Sequence, residues 1–510
     1  MSASSALPRS AAGPYNPWLI AVIVSIATFM EVLDTTIANV ALRHIAGGLA
    51  AGEDESTYIT TSYLVSNAII LPISGWLAGV IGRKRFYMIC VALFTISSVA
   101  CGFATSLTMI IVFRVLQGLG GGGLAPVEQS IFADTFRPEQ RAMAFALYGL
   151  TVVTAPAIGP MLGGWITENY SWNWVFFINL PVGLLSLALT GWFVSDSPQM
   201  VEDRRQILAK GLRIDYWGFA LVALSFGTLQ VVLDRFERED GFSSDFIRTL
   251  SAISAVSIVA LIWRELTIEQ PIVNLRLLRI RAFAIGVSVM FLFGFIINST
   301  TQLLPQMTQE LLGYDATNAG LTLGLGGVLS VFLMPISGAL TGRVIQPKWM
   351  ILTALLGTTM AMWSSAGLDL DISFWNVSVS RLLQMVWLPP LLIPLSTIQF
   401  VGVPPEQNSN ASAISNMMRN LGGGFGVSMA TTLLAWRTQI HHARLAEHVT
   451  PYNGYGFGTS LSHIAQAVQS QAAVLSYLDV FTALGWFSLI VAPLALLLPR
   501  LPKGAALNAH

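Results

Sequence analysis

The sequence predicts an all-α integral membrane protein with 14 transmembrane helices, arranged as two six-helix halves plus two inserted transmembrane helices. Three observations predict this fold class. The 510 residues are 54% hydrophobic and only 11% charged, and the mean hydropathy of +0.65 excludes a water-soluble globular protein of ordinary composition. The apolar residues fall into windows that are each long enough to cross a bilayer. Two short sequence words also recur, in the same order, in the two halves.

The apolar windows define the helices in chain order. Each holds about twenty residues, the length that spans the hydrocarbon core of a bilayer. The connections between them are too short for a soluble domain. The fourteen windows are 18–42, 57–80, 86–105, 107–132, 142–166, 174–194, 215–233, 247–264, 282–303, 316–340, 349–367, 375–400, 411–435 and 479–499.

The distribution of positive charge predicts the orientation of these helices. An even number of crossings places both termini on one side of the membrane. If that side is the cytoplasm, the inner segments hold 18 of the 27 Lys and Arg residues and the outer segments hold six. Cytoplasmic loops are enriched in Lys and Arg. We therefore expect both termini to be cytoplasmic.

An internal repeat predicts two halves of the same topology. The word PISGWLAG at 72–79 recurs as PISGALTG at 335–342, and RVLQ at 114–117 recurs as RLLQ at 381–384. Repeats that run in the same direction are related by an axis along the membrane normal, with the substrate near their interface. The expected domains are a cytoplasmic tail 1–17, a first bundle 18–200, a linker with two inserted helices 201–281, a second bundle 282–500 and a cytoplasmic tail 501–510.

The second bundle contains a long outer segment, 436–478. It begins RTQIHHARLAEHV, and its apolar residues recur at mixed spacings of three and four. Two interpretations remain open. The segment is an amphipathic helix or hairpin that lies on the membrane or meets a partner, or it is an ordered connector packed on its own helices.

Two acidic residues occupy the first membrane helix. Glu31 and Asp34 lie well inside the apolar run that begins near Trp18, and residues three apart share a helical face. A charge within the hydrocarbon costs at least about 2.5 kcal/mol, so such acids mark an ion or substrate path. Two alternatives stay open: Asp34 forms a structural pair with a basic residue on another helix, or Glu31 is hydrated near the outer surface.

The fourth helix offers a basic partner for these acids. A buried arginine without a partner is expensive, and Asp34 or Glu31 is the natural partner of Arg114. A proton on the acid would release the arginine and create a two-state element. Within FRVLQGLGGGGLAPVE, 113–128, the residues near one helical face are Arg114, Gln117, Gly121 and Glu128.

The fifth helix contains TAPAIGPMLGGW, 154–165. Gly159 and Gly163 form a pair of small residues that lets helices approach closely. Pro156 and Pro160 remove backbone hydrogen bonds, so this helix is expected to pack tightly and to bend.

Together these motifs resemble the major facilitator superfamily, and within it the fourteen-helix drug:proton antiporters (EmrB/QacA-like). The resemblance covers almost the whole chain and is closest to EmrB-type exporters of Gram-negative inner membranes. The segments that carry it are LDTTIANVAL at 33–42, Arg114 with Gln117 and Gly118, APAIGPMLGG at 155–164, and WNWVFFINLPVG at 172–183.

The resemblance implies a major facilitator fold and an inner-membrane transporter, not an enzyme, that exports hydrophobic or amphipathic drugs. The proton gradient would supply the energy, without a cofactor or metal. It also implies a periplasmic adaptor of the EmrA type and an outer-membrane channel of the TolC type as partners. Asp34 is expected to bind and release the proton, with Arg114 favouring its ionised form. Glu31 is expected to attract cationic substrates or to bind a second proton.

One loop departs from the family pattern. In GWLAGVIGRKRF, 75–86, Gly79 stands where the family usually has an aspartate. Gly75, Gly82, Arg83 and Lys84 remain, so the tight turn and the basic cluster are kept. Without the acid, a charge-relay latch is not expected here, and the basic residues are interpreted as topology determinants and headgroup contacts.

Further polar residues are candidates for the substrate cavity. Arg419, in MMRNLGGGFG at 417–426, has no counterpart in the first half. It either contacts the substrate or a gate, or it extends towards the membrane surface or forms a structural pair. The remaining cavity candidates are Asn39, Gln117, Glu128, Asn298 and Gln302, of which the last two lie on the ninth helix and are expected opposite Asp34.

Other classes of membrane protein fit the sequence less well. A nucleotide-driven pump requires a Gly-Lys pair in its phosphate-binding loop, and this dipeptide does not occur. The main alternative within transport is a dedicated exporter of one metabolite, lipid or siderophore. An intramembrane enzyme is a remote alternative.

Overall fold

The computed structural model describes residues 15–196, 201–202, 204–205, 209, 215–314, 316–368, 373–449 and 461–499. Most of both predicted tails, and part of the linker before the inserted helices, lie outside this range. We number sixteen α-helices of the described chain: α1 (Pro17–Gly48), α2 (Glu53–Ile81), α3 (Arg83–Gly102), α4 (Leu107–Gly121), α5 (Leu124–Thr135), α6 (Pro138–Asn169), α7 (Trp174–Phe177), α8 (Asn179–Phe193), α9 (Tyr216–Arg235), α10 (Asp245–Thr267), α11 (Arg281–Glu310), α12 (Ala316–Leu340), α13 (Pro347–Ser365), α14 (Phe374–Ile398), α15 (Asn408–Glu447) and α16 (Leu461–Val491).

These helices make fourteen crossings, which confirms the predicted fold class. The pair α4 and α5 forms one crossing, and so does the pair α7 and α8. Within the described residues, twelve crossings are long and apolar enough to span a membrane by themselves. The other two, α13 and α15, contain more small and polar residues, and both pack between other helices.

Local sequence signals explain where several helices begin. The Asn16 side chain accepts a hydrogen bond from the Trp18 backbone N–H at 2.9 Å, and Pro17 follows as the first helical residue. Proline also begins α6 and α13. A capping side chain satisfies an otherwise unpaired N–H, and proline loses no hydrogen bond at the first helical position.

The two halves pack separately and meet mainly along two helix pairs. In the first half α1 packs on α6, and α4 packs on α2 and α3; in the second half α11 packs on α15, and α14 packs on α12 and α13. The halves meet where α6 lies against α12 and α2 lies against α15. We call the end of the bundle where α1 begins the inner end, because the sequence predicts that it faces the cytoplasm, and the opposite end the outer end.

The inserted helices α9 and α10 form a hairpin on the side of the bundle. Arg264 donates to both carboxylate oxygens of Asp215, at 2.5–2.9 Å, and joins the inner ends of the hairpin. Burial by itself would raise the pKa of Asp215, but hydrogen bonds from Arg264 and the Gly218 N–H outweigh burial and lower it. Near the outer end, Thr61 of α2 donates to Asp234 of α9. The hairpin is therefore attached to the first half.

The outer segment 436–478 consists largely of the extended ends of two membrane helices. α15 contains 40 residues and is about 60 Å long, twice the thickness of the hydrocarbon core. α16 begins at Leu461, well before the predicted window. The Arg437 Nε and the His441 Nε2 lie 2.5 and 2.7 Å from the same oxygen of Asp479 and join the two helices. The described part of this segment is thus a helical hairpin that projects from the outer end.

Candidate functional site

Asp34 is completely enclosed within the first half. Its side chain lies in the middle of α1 with 1% of its surface exposed. The Oδ2 atom accepts from Arg114 Nη1 at 2.7 Å, and the Oδ1 atom accepts from Gln117 Nε2 at 3.0 Å and Asn179 Nδ2 at 2.6 Å. The structure thus brings together the predicted acid, arginine and amide, and it adds Asn179.

The Arg114 guanidinium is incompletely paired. Its Nη1 also donates to Gln117 Oε1 at 2.9 Å, and its Nε donates to the Ile59 carbonyl at 3.4 Å. The guanidinium lies 4.9 Å from the ring centroid of Tyr63 and 5.4 Å from that of Phe176. Its Nη2 is buried and has no hydrogen-bond partner among the described residues. The positive charge therefore depends strongly on Asp34 for compensation.

Close packing of α4 on α2 creates this burial. Arg114 and Gln117 are three residues apart and share one face of α4. Gly118 follows, and a β-carbon there would overlap the Ser66 hydroxyl and the Tyr63 carbonyl of α2. Because Gly118 has no side chain, the two helices can touch. This contact explains why a glycine follows Gln117.

Asn179 is the main residue of this network that the sequence did not predict. It begins α8, and its Nδ2 also donates to Ser98 Oγ of α3 at 2.9 Å. The only available signal was an amide in the otherwise apolar stretch FFINLPVG. An uncharged amide costs far less to bury than a charge, so it is a weaker signal than an arginine.

Glu31 belongs to a different set of contacts. Its Oε1 accepts from Tyr63 Oη at 3.0 Å and from Asn67 Nδ2 at 3.4 Å, both on α2. The Asn67 Oδ1 in turn accepts from Asn420 of α15 at 3.3 Å. Glu31 is partly exposed. It therefore joins the interface between the halves rather than the Asp34 network.

Glu128 is separated from Arg114 by a break in the fourth crossing. α4 ends at Gly121 and α5 begins at Leu124, because four successive glycines give the helix no side-chain support. The continuous polar stripe expected from the sequence is interrupted there. Glu128 is fully buried, and its Oε1 accepts from Ser25 at 2.6 Å. Its Oε2 has no partner among the described residues.

Arg419 faces the first half across the interface. Its guanidinium lies 5.8 Å from the ring centroid of Tyr148 on α6. It also interacts electrostatically with Glu31 and Glu128. Of the interpretations left open by the sequence, a gate contact or a structural pair agrees with these positions, and an extension to the membrane surface does not.

The remaining cavity candidates are exposed towards the outer end. Asn39 is exposed on α1, and its Oδ1 accepts from Thr60 at 3.1 Å. Asn298 and Gln302 are exposed on α11. They do not face Asp34 directly, because the side chains of its own half enclose Asp34.

The inner end is closed by polar contacts between the halves. Arg83 is buried, forms an ion pair with Asp134, and donates from Nε to Ser409 of α15 at 2.8 Å. Asn408 donates to Asp134 at 2.7 Å, and the hydroxyl oxygens of Ser130 and Ser409 are 3.0 Å apart. A β-carbon on Gly75 would press on the backbone of α15. Because Arg83 is buried in this seal, it does not contact lipid headgroups here, and Asp134, not residue 79, supplies the acid. Its expected role in topology stays a prediction.

The other residues of this loop shape the turn between α2 and α3. Gly82 has a φ of +97°, a conformation that favours glycine. Lys84 donates from its backbone N–H to Asp196 at 2.9 Å and from Nζ to the Gly191 carbonyl at 2.8 Å. A β-carbon on Gly79 would have no neighbour within 4 Å among the described residues.

A second layer of contacts lies above this seal. The Tyr148 hydroxyl donates to Asn416 Oδ1 at 3.1 Å, and Asn416 Nδ2 donates to Gln129 at 3.0 Å. The rings of Phe145 and Phe400 stack with centroids 5.6 Å apart. The inner end is thus sealed, whereas the polar residues nearer the outer end are exposed.

The glycines of α6 pack on α1, and another face of α6 packs on α12. A β-carbon on Gly159 would overlap Thr36, and one on Gly163 would lie 3.2 Å from Ile37. On another face of α6, Pro160 lies against Gly320 of α12. The helix continues through Pro156 and Pro160 without interruption. Gly164 borders open space.

Comparisons with known proteins agree with this architecture. A family model described as Major Facilitator Superfamily matches residues 24–427. The multidrug export protein EmrB of Escherichia coli (strain K12) is 37% identical over 485 residues, covering 91% of each chain. The fatty acid resistance protein FarB of Neisseria gonorrhoeae is 35% identical over 484 residues, covering 92% of this chain and 94% of that protein. A double-tryptophan mutant of XylE aligns with a TM-score of 0.65 at 14% identity, over 96% of this chain and 97% of the other, and supports the fold alone.

Proposed function

Because the chain belongs to the major facilitator superfamily, and within it to the EmrB-type exporters, we propose that it exports hydrophobic and amphipathic drugs by proton-coupled antiport. Its relative in Escherichia coli is named a multidrug export protein. The observation that carries the coupling mechanism is the buried ion pair between Asp34 and Arg114 at 2.7 Å. Among the described residues, Arg114 is the one full charge paired with this carboxylate. Such a carboxylate is suited to exchange a proton in a transport cycle.

Protonation of Asp34 would change the balance around Arg114. The neutral carboxyl group no longer compensates the guanidinium, and leaving a buried charge without its partner costs roughly 3–5 kcal/mol. The remaining acceptors of Arg114 are Gln117 on its own helix and the Ile59 carbonyl of α2. Relief of this cost would require α4 to move relative to α1 or α2.

The second half would sense this movement through α2. Tyr63 and Asn67 of α2 hold Glu31, and Asn420 of α15 binds Asn67. Gly75 of the same helix lies against α15 at the inner seal. A shift of α2 would therefore loosen the seal, so that proton entry from outside favours the inward-open state. Glu31, near the interface and beside the positive charge of Arg419, would bind a cationic substrate or a second proton.

The proposed setting is the bacterial inner membrane, with both termini in the cytoplasm. The helical hairpin at the outer end would meet a periplasmic adaptor of the EmrA type, which connects to an outer-membrane channel of the TolC type. Energy would come from the proton gradient, without a cofactor. Removal of 440–475 should abolish co-purification with the adaptor; undiminished efflux from cells with the shortened protein would contradict the assembly.

Inverted membrane vesicles provide the test of antiport. Addition of several unrelated lipophilic compounds should collapse a preformed pH gradient in vesicles with the wild-type protein. Asp34→Asn should abolish this response. Asp240→Asn is the matched control, because it makes the same acid-to-amide change in an exposed loop at a φ of 53° that asparagine also adopts.

Two other results of this experiment would contradict parts of the proposal. Collapse that persists at full rate in Asp34→Asn would remove Asp34 from the coupling mechanism. No response from wild type to any compound, with a folded protein present, would favour a dedicated exporter of one metabolite, lipid or siderophore over a multidrug exporter.

A further inference from the structure

A groove of about 590 Å³ runs along the outer half of the bundle, between the inserted hairpin and α15. Leu229, Leu233 and Phe236 line it from α9 and the residue that follows it, Ile258 lines it from α10, and Met429 lines it from α15. Its volume is within the range of small-molecule sites, and its lining is predominantly apolar, as in such sites.

The groove faces the side of the bundle, away from the Asp34 network. The opposite face of α15 is occupied, because Gly422 and Gly426 pack on the backbone of α11 at Phe291 and Phe295. Beside the groove, Gly424 of α15 approaches Leu233 of α9. Several lining residues are large and exposed, including Phe242 at 62% and Trp436 at 58%. In a membrane these exposed side chains face lipid.

Polar groups occur in a defined order on the wall formed by α10. Arg248, Ser251 and Ala255 follow one another at helical spacings on one face of this helix. Arg248 lies near the outer end, and its exposed side chain pairs with the exposed Asp245. Ser251, about 4.5 Å further along the axis, lines the groove. Its buried Oγ has no hydrogen-bond partner among the described residues. Beyond it the wall is apolar, apart from Ser254, whose hydroxyl donates to the Ser225 carbonyl.

We propose that this groove is a binding site for one glycerophospholipid of the outer leaflet. The phosphate lies at Arg248, an ester carbonyl accepts a hydrogen bond from Ser251, and one acyl chain fills the apolar groove between α9, α10 and α15.

Three features select a phospholipid as the occupant. A cation, a hydroxyl donor and an apolar channel follow one another from the outer end inwards, in the order of phosphate, ester and chain. The exposed pair between Arg248 and Asp245 is weak, so a phosphate can compete for the arginine. Trp436 and Phe242 border the groove at the level where aromatic side chains meet lipid headgroups.

Photo-crosslinking in lipid nanodiscs tests the site directly. The probe is phosphatidylglycerol with a diazirine at the end of one acyl chain, and the labelled peptides are identified by mass spectrometry. Labelling of the α15 segment around Met429 is measured relative to labelling of Val259, which is 68% exposed on α10 and does not line the groove.

Two tryptophan substitutions on α10 form a matched pair. Ala255 lines the groove, whereas its neighbour Val256 is 70% exposed and does not. Ala255→Trp fills the groove and should lower the labelling ratio about fivefold, whereas Val256→Trp should leave it unchanged. Arg248→Gln, an exposed substitution that leaves the fold intact, should also lower the ratio.

Other results would overturn the proposal. Equal ratios for Ala255→Trp, Val256→Trp and wild type would mean that only the surrounding bilayer lipid is being labelled. Stronger labelling by a diazirine fatty acid than by the phospholipid, at equal concentration, would identify the occupant as a single-chain amphipath. An unchanged ratio in Arg248→Gln would remove the phosphate from the assignment.

Discussion

Asp34 and Arg114 form a buried ion pair inside one half of the molecule, and the balance of charge in this pair depends on whether Asp34 carries a proton. The carboxylate has three donors, and one nitrogen of the guanidinium has no partner in the described part of the chain. The ionised carboxylate therefore compensates the charge of Arg114, whereas a protonated carboxyl group leaves this charge uncompensated. No other group in the described network carries a full charge.

Removal of the arginine should show whether this pairing is needed for transport. In Arg114→Ala the buried Asp34 carboxylate loses its charged partner, and breaking a buried ion pair from one side costs roughly 3–5 kcal/mol. We therefore expect Arg114→Ala to lower drug-dependent proton flux by roughly tenfold or more. Arg114→Lys keeps the charge and should retain more of the flux. The measurement is drug-dependent proton flux in proteoliposomes; a flux equal to that of the exposed control Arg444→Ala would argue against the pairing.

At the residue scale, the sequence could predict an ion pair of Arg114 with an acid of α1, but not which of the two acids forms it. A charged residue at membrane depth needs a partner, which identified Arg114 and the acids of α1. Glu31 and Asp34 share one helical face, so their spacing does not distinguish them. The distinction comes from α2, where Tyr63 and Asn67 engage Glu31. Asn179 and Asp134 were missed because their partners lie on other helices, far away in the chain.

At the scale of single helices, α6 is one of the elements that join the two halves. One face packs its glycines on α1, and another packs on α12. The GxxxG spacing predicted close packing, and the structure identifies the neighbour. The two prolines leave the helix continuous, because a helix in a bundle is held in place by packing on its neighbours.

Alanine substitutions on α6 should show which of its glycines are needed for close packing on α1. Gly159→Ala places a methyl group against Thr36, whereas Gly164→Ala places the same group in open space. We expect Gly159→Ala to lose about 1–3 kcal/mol of stability through overpacking. Gly164→Ala should be unaffected or slightly stabilised. Thermal unfolding of the purified proteins in detergent measures both; equal melting temperatures would show that α1 moves aside at no cost.

Helix ends were the part of the elements that the sequence predicted least well. The predicted window 411–435 is shorter than α15, which reaches Glu447. The reason is that hydrophobic windows stop where Arg437, His441 and Arg444 begin, although a helix can continue into water when a second helix packs against it. The break between α4 and α5 is the opposite case, because one apolar window contains two helices.

At the scale of the whole molecule, the sequence predicted two halves but could not predict their arrangement. The repeat gave the topology, and the seal at the inner end depends on contacts between residues some 275 positions apart, such as Asn408 and Asp134. A pattern along the chain contains no information about such pairs. The loss of the family aspartate at Gly79 suggested a missing latch, whereas Asp134 and Arg83 form one.

A reversible cross-link should lock the seal. Ser130 and Ser409 have hydroxyl oxygens 3.0 Å apart, so cysteines at both positions should form a disulfide on oxidation, in a protein whose native Cys90 and Cys101 are buried. We expect transport to stop on oxidation and to recover fully on reduction. Each single cysteine variant is the control; transport that continues in the cross-linked protein would mean that this end does not open during the cycle.

The continuity of α15 has a consequence for anything outside the membrane. The same unbroken helix begins at Asn408, within the inner seal, and ends at Glu447, beyond the outer end. Because a helix this long behaves as a stiff rod, a tilt that opens the seal must swing the far tip through an arc. The tip therefore moves further than the residues of the seal. A protein that contacts the tip can detect, from the opposite side of the membrane, whether the inner seal is open.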